Sequence, residues 1–406
     1  MVLAGVVRRA FDLTACGFSR HVTIDRWVMS ASGGVREARP PLVIECSPSD
    51  TVLLEAGIEA PDPQRGAEWL LKLVLSGNAL VELDGAPIGG YDEAHTYFRV
   101  PPGYHRVAVR ASPRSLFGQH SWIFEFKRAL LVEASLRVIK TGLWVLQLVD
   151  YVNALPESSP LRRELTRLLL EVTGGLRLSP SPRQIALAMI TLYEGPAGAA
   201  RRDIYRPLGD YVYLKDVYGV GILRGLVEEP PGNYTSLSEA LEVASYLEGR
   251  ILKGLSNLRE EHPEIGTLHV VGHSHIDAAW LWPRSETVEK VLRTFSTVVS
   301  LARECEFTYI QSSAQYYEWL EERSPRLFDE VKRLVESGRW IIAGGMWVES
   351  DTNLVTGESL ARQFLYGQRY FKSRFGRAAR IGFLPDSFGF SANLPQVLRK
   401  SGLEVF

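Results

Sequence analysis

The stretch VVGHSHIDAAWLW, residues 270–282, sets two of the chain's eight histidines beside an aspartate, directly after an apolar run. Side chains at i and i+2 that leave a strand end share one site if the backbone turns there. His275 and Asp277 then offer an imidazole nitrogen and a carboxylate oxygen, a donor pair suited to a divalent metal. The same two residues also suit a simple hydrogen-bonded pair, with His273 as a structural neighbour. Trp280 and Trp282 follow at once. Aromatic faces beside polar strand ends stack on sugar rings or pack into a core. Asp351 follows GGMWVES, where Gly344 and Gly345 imply close backbone approach. A carboxylate there, near a metal, would serve as nucleophile, ligand or both. It also stands ahead of a helix expected at 357–375 and would suit its N-cap. Asp386, in FLPDSFGF, is a third carboxylate at a strand end, or the cap of a local turn.

The elements that must position these groups begin at about residue 267. TLHVVGH is a short continuous apolar run, as a buried parallel strand requires. SETVEKVLRTFSTVVSLARE puts Val288, Val291, Leu292, Phe295 and Val299 on one helical face. FTYIQSS is a second strand. The next helix has Ser324 at its cap, Pro325 at its first position and Gly338 past its end. RWIIAGGMW is a third strand, GESLARQFLYGQRYFKSRFG a helix closing at Gly376, RIGFLPD a fourth strand, LPQVLRKSG a fourth helix, and LEVF the start of a fifth strand. Strand-helix units in succession predict an α/β fold, a parallel sheet with right-handed crossovers. Polar residues gather where each strand ends: His275 and Asp277, Ser312 and Ser313, Glu349 and Asp351, Asp386. Active sites of α/β barrels are built from those ends. The expected fold is the first half of a (β/α) barrel of seven or eight strands over residues 267–406.

Ahead of it, residues 1–125 read as a β-rich, sandwich-like domain. EWLLKLVL (68–75) and ALVEL (79–83) are strand-like, Asp84-Gly85 is a turn signal, and TYFRV and YHRVAVR resume the pattern around Pro101-Pro102-Gly103. Its aromatics would be core residues or sugar contacts. Residues 126–265 read as mainly helical, with dense helix-spaced apolar residues in FKRALLVEASLRVIKTGLWVLQLVDYVNAL. A capping box, Ser236-x-x-Glu239, opens a helix expected to stop before Pro263. The predicted domains are therefore 1–125, 126–265 and 266–406.

Composition limits the partners. The formal net charge is −1, with 46% hydrophobic and 23% charged residues, which is the balance of a globular chain without a nucleic-acid partner. No apolar run is long enough to span a bilayer. Arg8 and Arg9 follow the first apolar residues, the reverse of a secretory leader, so the expected location is cytoplasmic. Cys16, Cys46 and Cys305 are scattered and odd in number, as reduced thiols would be.

Three long motifs, GHSHIDAAWLWPRSETVEKVLRTFSTVV, GGMWVESDTNLVTGESLARQFLYGQRYF and GFLPDSFGFSANLPQVLRKSG, closely resemble the family 38 glycoside hydrolases in order and spacing. These are the class II α-mannosidases, and the likeness is to their cytosolic and vacuolar branch. It covers residues 267–406 strongly and the preceding region weakly. The resemblance implies a retaining α-mannosidase acting on terminal mannosyl residues of oligosaccharides, with a catalytic zinc that cobalt can replace. It implies His275 and Asp277 as zinc ligands and Asp351 as the nucleophile that also touches the metal. It implies Trp280 stacking under the mannose ring and Asp386 in the substrate pocket. The chemistry agrees: a retaining glycosidase needs a nucleophilic carboxylate and an acid/base carboxyl about 5–5.5 Å apart.

The match also has a gap. The family's zinc site uses a further histidine downstream of the nucleophile, and no histidine follows His275. The family's acid/base aspartate also lies on a later strand. The expectation is an incomplete or split catalytic chain, exposed at a strand edge and aggregation-prone unless a second chain completes the barrel. Two other readings stand beside it. One is an inactive remnant or carbohydrate-binding subunit. The other is a metal-dependent amidohydrolase, suggested by His273-x-His275, which also needs downstream histidines and leaves the two later motifs unexplained.

Overall fold

The structure, a computed structural model, describes residues 2–47, 49–92, 94–114, 118–194, 229–262 and 266–406. In chain order these form α1 (Ala4–Cys16), β1 (Phe18–Thr23), β2 (Trp27–Ala31), β3 (Gly34–Ala38), β4 (Leu42–Glu45), β5 (Val52–Ala60), β6 (Glu68–Leu75), β7 (Asn78–Leu83), β8 (Ala86–Tyr91), β9 (Tyr97–Val100), β10 (Gly103–Ser112) and β11 (Ile123–Ala134). Then come α2 (Leu136–Ala154), α3 (Pro160–Gly174), α4 (Pro182–Tyr193), α5 (Leu237–Glu261), β12 (Gly272–His273), α6 (Arg284–Glu304), β13 (Tyr309–Gln311), α7 (Ala314–Arg323), α8 (Pro325–Glu336), β14 (Trp340–Ile342), α9 (Gly357–Phe375) and α10 (Leu394–Lys400). The chain divides into two compact units. One comprises residues Met1–Gly77, Tyr91–Arg106 and Ser121–Thr267; the other comprises Asn78–Gly90, Val107–His120 and Leu268–Phe406.

In the first unit an antiparallel sheet runs β1-β11-β6-β9, with β4 also on β11. β2 pairs antiparallel with β3 and β5. Helices cover one sheet face, and Phe11, Leu13, Val138, Ile139 and Leu187 share a core with Leu70, Leu130 and Val132. Two findings correct the sequence reading here. Residues 4–16 form a helix rather than part of the β-rich pattern. Residues 126–134 complete strand β11, and the helix after them starts only at Leu136. β11 lies between β1 and β6 with Leu130, Leu131 and Val132 all buried. A strand buried on both faces loses its alternation and imitates a buried helix in the sequence. The capping box at Ser236 and Glu239 is formed, and α5 ends at Glu261; Pro263 lies outside the described residues.

The second unit holds a β7–β8 hairpin whose two-residue turn, Asp84-Gly85, has φ of 52° and 75°. Positive φ at both positions is the turn that matches strand twist. β7 pairs antiparallel with β10 over Asn78–Ser112 to Leu83–Val107, and Leu80 joins the core formed by Val288, Val291, Leu292 and Phe295 of α6. The remainder is a parallel sheet, β12-β13-β14, alternating with helices. Backbone bonds extend it: Gly344 N donates to Ile381 O at 2.8 Å, and Gly382 N to Val405 O at 2.7 Å. The fourth and fifth predicted strands are reduced to that single parallel bridge between Ile381 and Val405.

TLHVVGH also departs from expectation. Only Gly272 and His273 pair, and Leu268, Val270 and Val271 are exposed rather than buried. β13 begins at Tyr309 opposite Gly272, so among the described residues no strand pairs with 268–271 to hold them in a ladder. A helix absent from the sequence reading, α7, precedes the predicted one at Pro325. Gly376 closes α9 with φ of 70°, as its position predicts.

Candidate metal and sugar site

β12 ends at His273, whose Nδ1 lies 2.9 Å from Ile310 O on β13. The chain then turns, and two anchors fix the turn. Tyr316 Oη on α7 donates to Ile276 O at 2.5 Å, and Thr287 Oγ1 on α6 donates to Ala278 O at 2.7 Å. Ile276 points inward and is buried, so its neighbours His275 and Asp277 both face outward to one site. Asp386 reaches the same place from the loop after Leu384. His275 Nε2 stands 3.4 Å from Asp277 Oδ1 and 3.4 Å from Asp386 Oδ2. One ligand atom from each of the three lies within 4.8 Å of the others. An imidazole nitrogen and two carboxylate oxygens converging at a partly open place fit a divalent ion such as zinc with coordination left over for substrate.

A fourth group adjoins them. Glu349 Oε2 lies 3.8 Å from Nδ1 of His275, the nitrogen opposite the metal-facing one. Its Oε1 accepts a short hydrogen bond from Ser312 Oγ, and its backbone N donates to Ser313 Oγ at 3.3 Å. Burial pushes the Glu349 carboxyl above its ordinary range; Ser312 and His275 oppose this, while Asp277 and Asp386 add to it. Ser312 and Ser313 are fully buried, and Ser313 takes φ of 63°. Such a conformation is costly for a non-glycine residue and gathers at functional sites.

Asp351 stands outside this convergence. It is exposed, and its Oδ1 accepts from the backbone N of Asn353 at 2.9 Å and of Leu354 at 3.2 Å. It does not cap α9, whose N-cap is Thr356, with Oγ1 accepting from Ser359 N at 3.2 Å. The two tryptophans separate clearly. Trp282 is buried, donates to Thr287 Oγ1 at 3.1 Å and carries Lys290 Nζ over its ring at 4.3 Å. Trp280 is 57% exposed and meets Trp282 edge-on. Of the predicted residues, His275, Asp277 and Asp386 are brought together and Trp280 offers a free face. Glu349, noted in the sequence only as polar and at a strand end, joins them.

Residues 266–406 match the family model described as Glycosyl hydrolases family 38 N-terminal domain. The relatives agree. Alpha-mannosidase G of Dictyostelium discoideum is 50% identical over 137 residues, covering 34% of this chain and 13% of that protein. Alpha-mannosidase 2C1 of Homo sapiens is 34% identical over 248 residues, 57% of this chain and 22% of that one. Alpha-mannosidase of Saccharomyces cerevisiae is 42% identical over 148 residues, 36% and 14%. The alignments thus span less than a quarter of the length of these relatives.

Proposed function

We propose that this chain carries part of the catalytic site of a retaining, metal-dependent α-mannosidase. The observation that carries the reading is the convergence of His275 Nε2, Asp277 and Asp386 inside the family 38 segment. His275, Asp277 and Asp386 would hold the metal, zinc or cobalt in its place. A bound divalent ion would orient sugar hydroxyls and keep neighbouring carboxylates ionised. Asp351 is assigned as the nucleophile and further metal contact on the resemblance of GGMWVESD, and Trp280 as the face under the sugar ring. The substrate is a mannose-containing oligosaccharide, and the setting is cytoplasmic.

Further polypeptide, in this chain or a second one, would complete the half-barrel and supply the acid/base carboxyl. Leu268 is 86% and Val270 78% exposed, beside β12, which among the described residues pairs only with β13. Calorimetric titration of the full chain with methyl α-D-mannoside, with and without added zinc, tests the reading. Zinc-dependent sugar binding that is lost in Asp277→Ala is expected, as is, in the completed enzyme that includes the acid/base carboxyl, loss of aryl α-mannoside hydrolysis with sugar binding kept in Asp351→Ala. Sugar binding indifferent to zinc and to Asp277 would overturn the metal assignment. Full hydrolysis by Asp351→Ala would overturn the nucleophile.

A further inference from the structure

We propose that Glu349 is a positioning residue for the metal site: its carboxyl group stands on the Nδ1 side of His275, favours the ring proton on that nitrogen, and so turns Nε2 to the metal. The inference rests on the reading of His275 as a metal ligand. His275 stands between two sets of oxygens. Nε2 faces Asp277 Oδ1 and Asp386 Oδ2 at 3.4 Å each, and Nδ1 faces Glu349 Oε2 at 3.8 Å. A neutral imidazole binds a metal through its bare nitrogen and carries its proton on the other. Whatever accepts that proton selects the tautomer and the ring plane, and ligating histidines commonly have a carboxylate in that place.

Glu349 is built for this work. One of its oxygens is held by Ser312 Oγ, which leaves the other turned to His275. Its backbone is held by Ser313 Oγ. Both serines sit at the end of β13, one strand over from His275. They are brought against the Glu349 segment by glycine: a Cβ at Gly344 would meet Ser312 Cβ at 3.0 Å, and φ there is 77°. The strained φ of 63° at Ser313 aims its hydroxyl at the Glu349 amide. Nothing in the packing of the sheet alone calls for a carboxylate in this half-buried place, where an amide or an apolar side chain would fill the same volume without a charge.

The test is zinc affinity of the full chain, measured by competition with a chromophoric chelator, for wild type, Glu349→Gln and Ser312→Ala. Melting without metal and the visible spectrum of the cobalt-loaded protein accompany it. Glu349→Gln is expected to lose about 10- to 100-fold in zinc affinity and to alter the cobalt spectrum. Its metal-free melting should be unchanged or raised, because removing a half-buried charge relieves desolvation. Ser312→Ala, which frees the carboxylate to turn away, is expected to lose affinity in the same direction by less. A purely structural Glu349 would show the opposite pattern, lower melting with unchanged zinc affinity, and that result overturns the proposal. Wild-type protein that binds no zinc overturns the metal reading itself, and this inference with it. Wild-type protein that binds zinc as tightly as Glu349→Gln overturns the inference alone.

Discussion

Gly367 on α9 couples the stability of the second unit to the geometry of its site, and Gly367→Ala exposes that coupling. In an open helix the change is favourable by about 1 kcal/mol, because glycine has more backbone freedom to lose. Here the added Cβ would lie 2.6 Å from Met346 O and closer still to Gly345 O and Met346 C. Ordinary contact begins near 3.4 Å, and these are backbone atoms that cannot turn aside as a flexible side chain would. Overpacking of this kind costs about 1–3 kcal/mol. With the upper end of that range applied to a rigid neighbour, the helix gain leaves a net loss of about 2 kcal/mol. At roughly 2–4 °C per kcal/mol, the second unit should melt about 4–8 °C lower.

The strain should also reach the site. α9 braces the segment that leads to Glu349: Gln363 O accepts from Trp347 N, and Gln363 Oε1 from Val348 N, each at 2.8 Å. Pushing α9 off Gly345 and Met346 moves that segment, so zinc affinity should fall with the melting point. Gly249, in the middle of α5, is the control. Nothing lies within 4 Å of a Cβ there, so Gly249→Ala should stabilise by about 0.5–1 kcal/mol. Calorimetric melts of the two variants against wild type settle the matter. Gly367→Ala melting at or above wild type would refute the close approach of α9 to the sheet end.

Three further outcomes follow from the same structure. Trp280→Ala should weaken mannoside binding by at least several-fold in the zinc-loaded protein while leaving its melting unchanged, since the ring is mostly exposed; unchanged binding by titration would remove Trp280 from the sugar site. Zinc at about a hundred times its dissociation constant should add about 2.7 kcal/mol to stability, and Asp277→Ala should abolish the gain; a gain that survives this change would place the ion elsewhere. Burial alone would raise the Glu133 carboxyl, but hydrogen bonds from Arg20, Ser19 and Gln64 N and the Arg20 charge hold it below its ordinary 4.5. Its contribution is therefore complete above that pH and drains away as pH falls through the lower folded value. Glu133→Gln should cost about 1–3 kcal/mol at neutral pH and flatten the acid loss of stability. Denaturant melts of the two proteins at neutral and strongly acidic pH would contradict this if the gap between them stayed constant.

What the sequence disclosed, and what it hid, divides by the range of the interactions concerned. Helix ends are local, so Ser236 with Glu239, Pro325 and Gly376 were legible from residue type and position. The Asp84-Gly85 turn was legible for the same reason. β11 was not, because a strand covered on both faces gives up its alternation and reads as a helix until its neighbours β1 and β6 are known. TLHVVGH failed in the other direction. Its residues have strand character, but a strand exists only where another lies opposite, and β13 reaches no further than Gly272.

The site follows the same rule. His275 and Asp277 face one way because a single buried residue, Ile276, separates them, and that much is local. Asp386 and Glu349 lie far along the chain, and only the sheet order carries them to His275. Sequence marked each as polar and at a strand end and singled out Asp351 and Asp386, but not Glu349. What packing adds is the place of Glu349. Glu349 turns inward to two buried serines and a histidine, whereas Asp351 is spent on its own turn with Asn353 and Leu354. Its assignment as nucleophile rests on the resemblance of GGMWVESD, and the turn with Asn353 and Leu354 engages only its Oδ1.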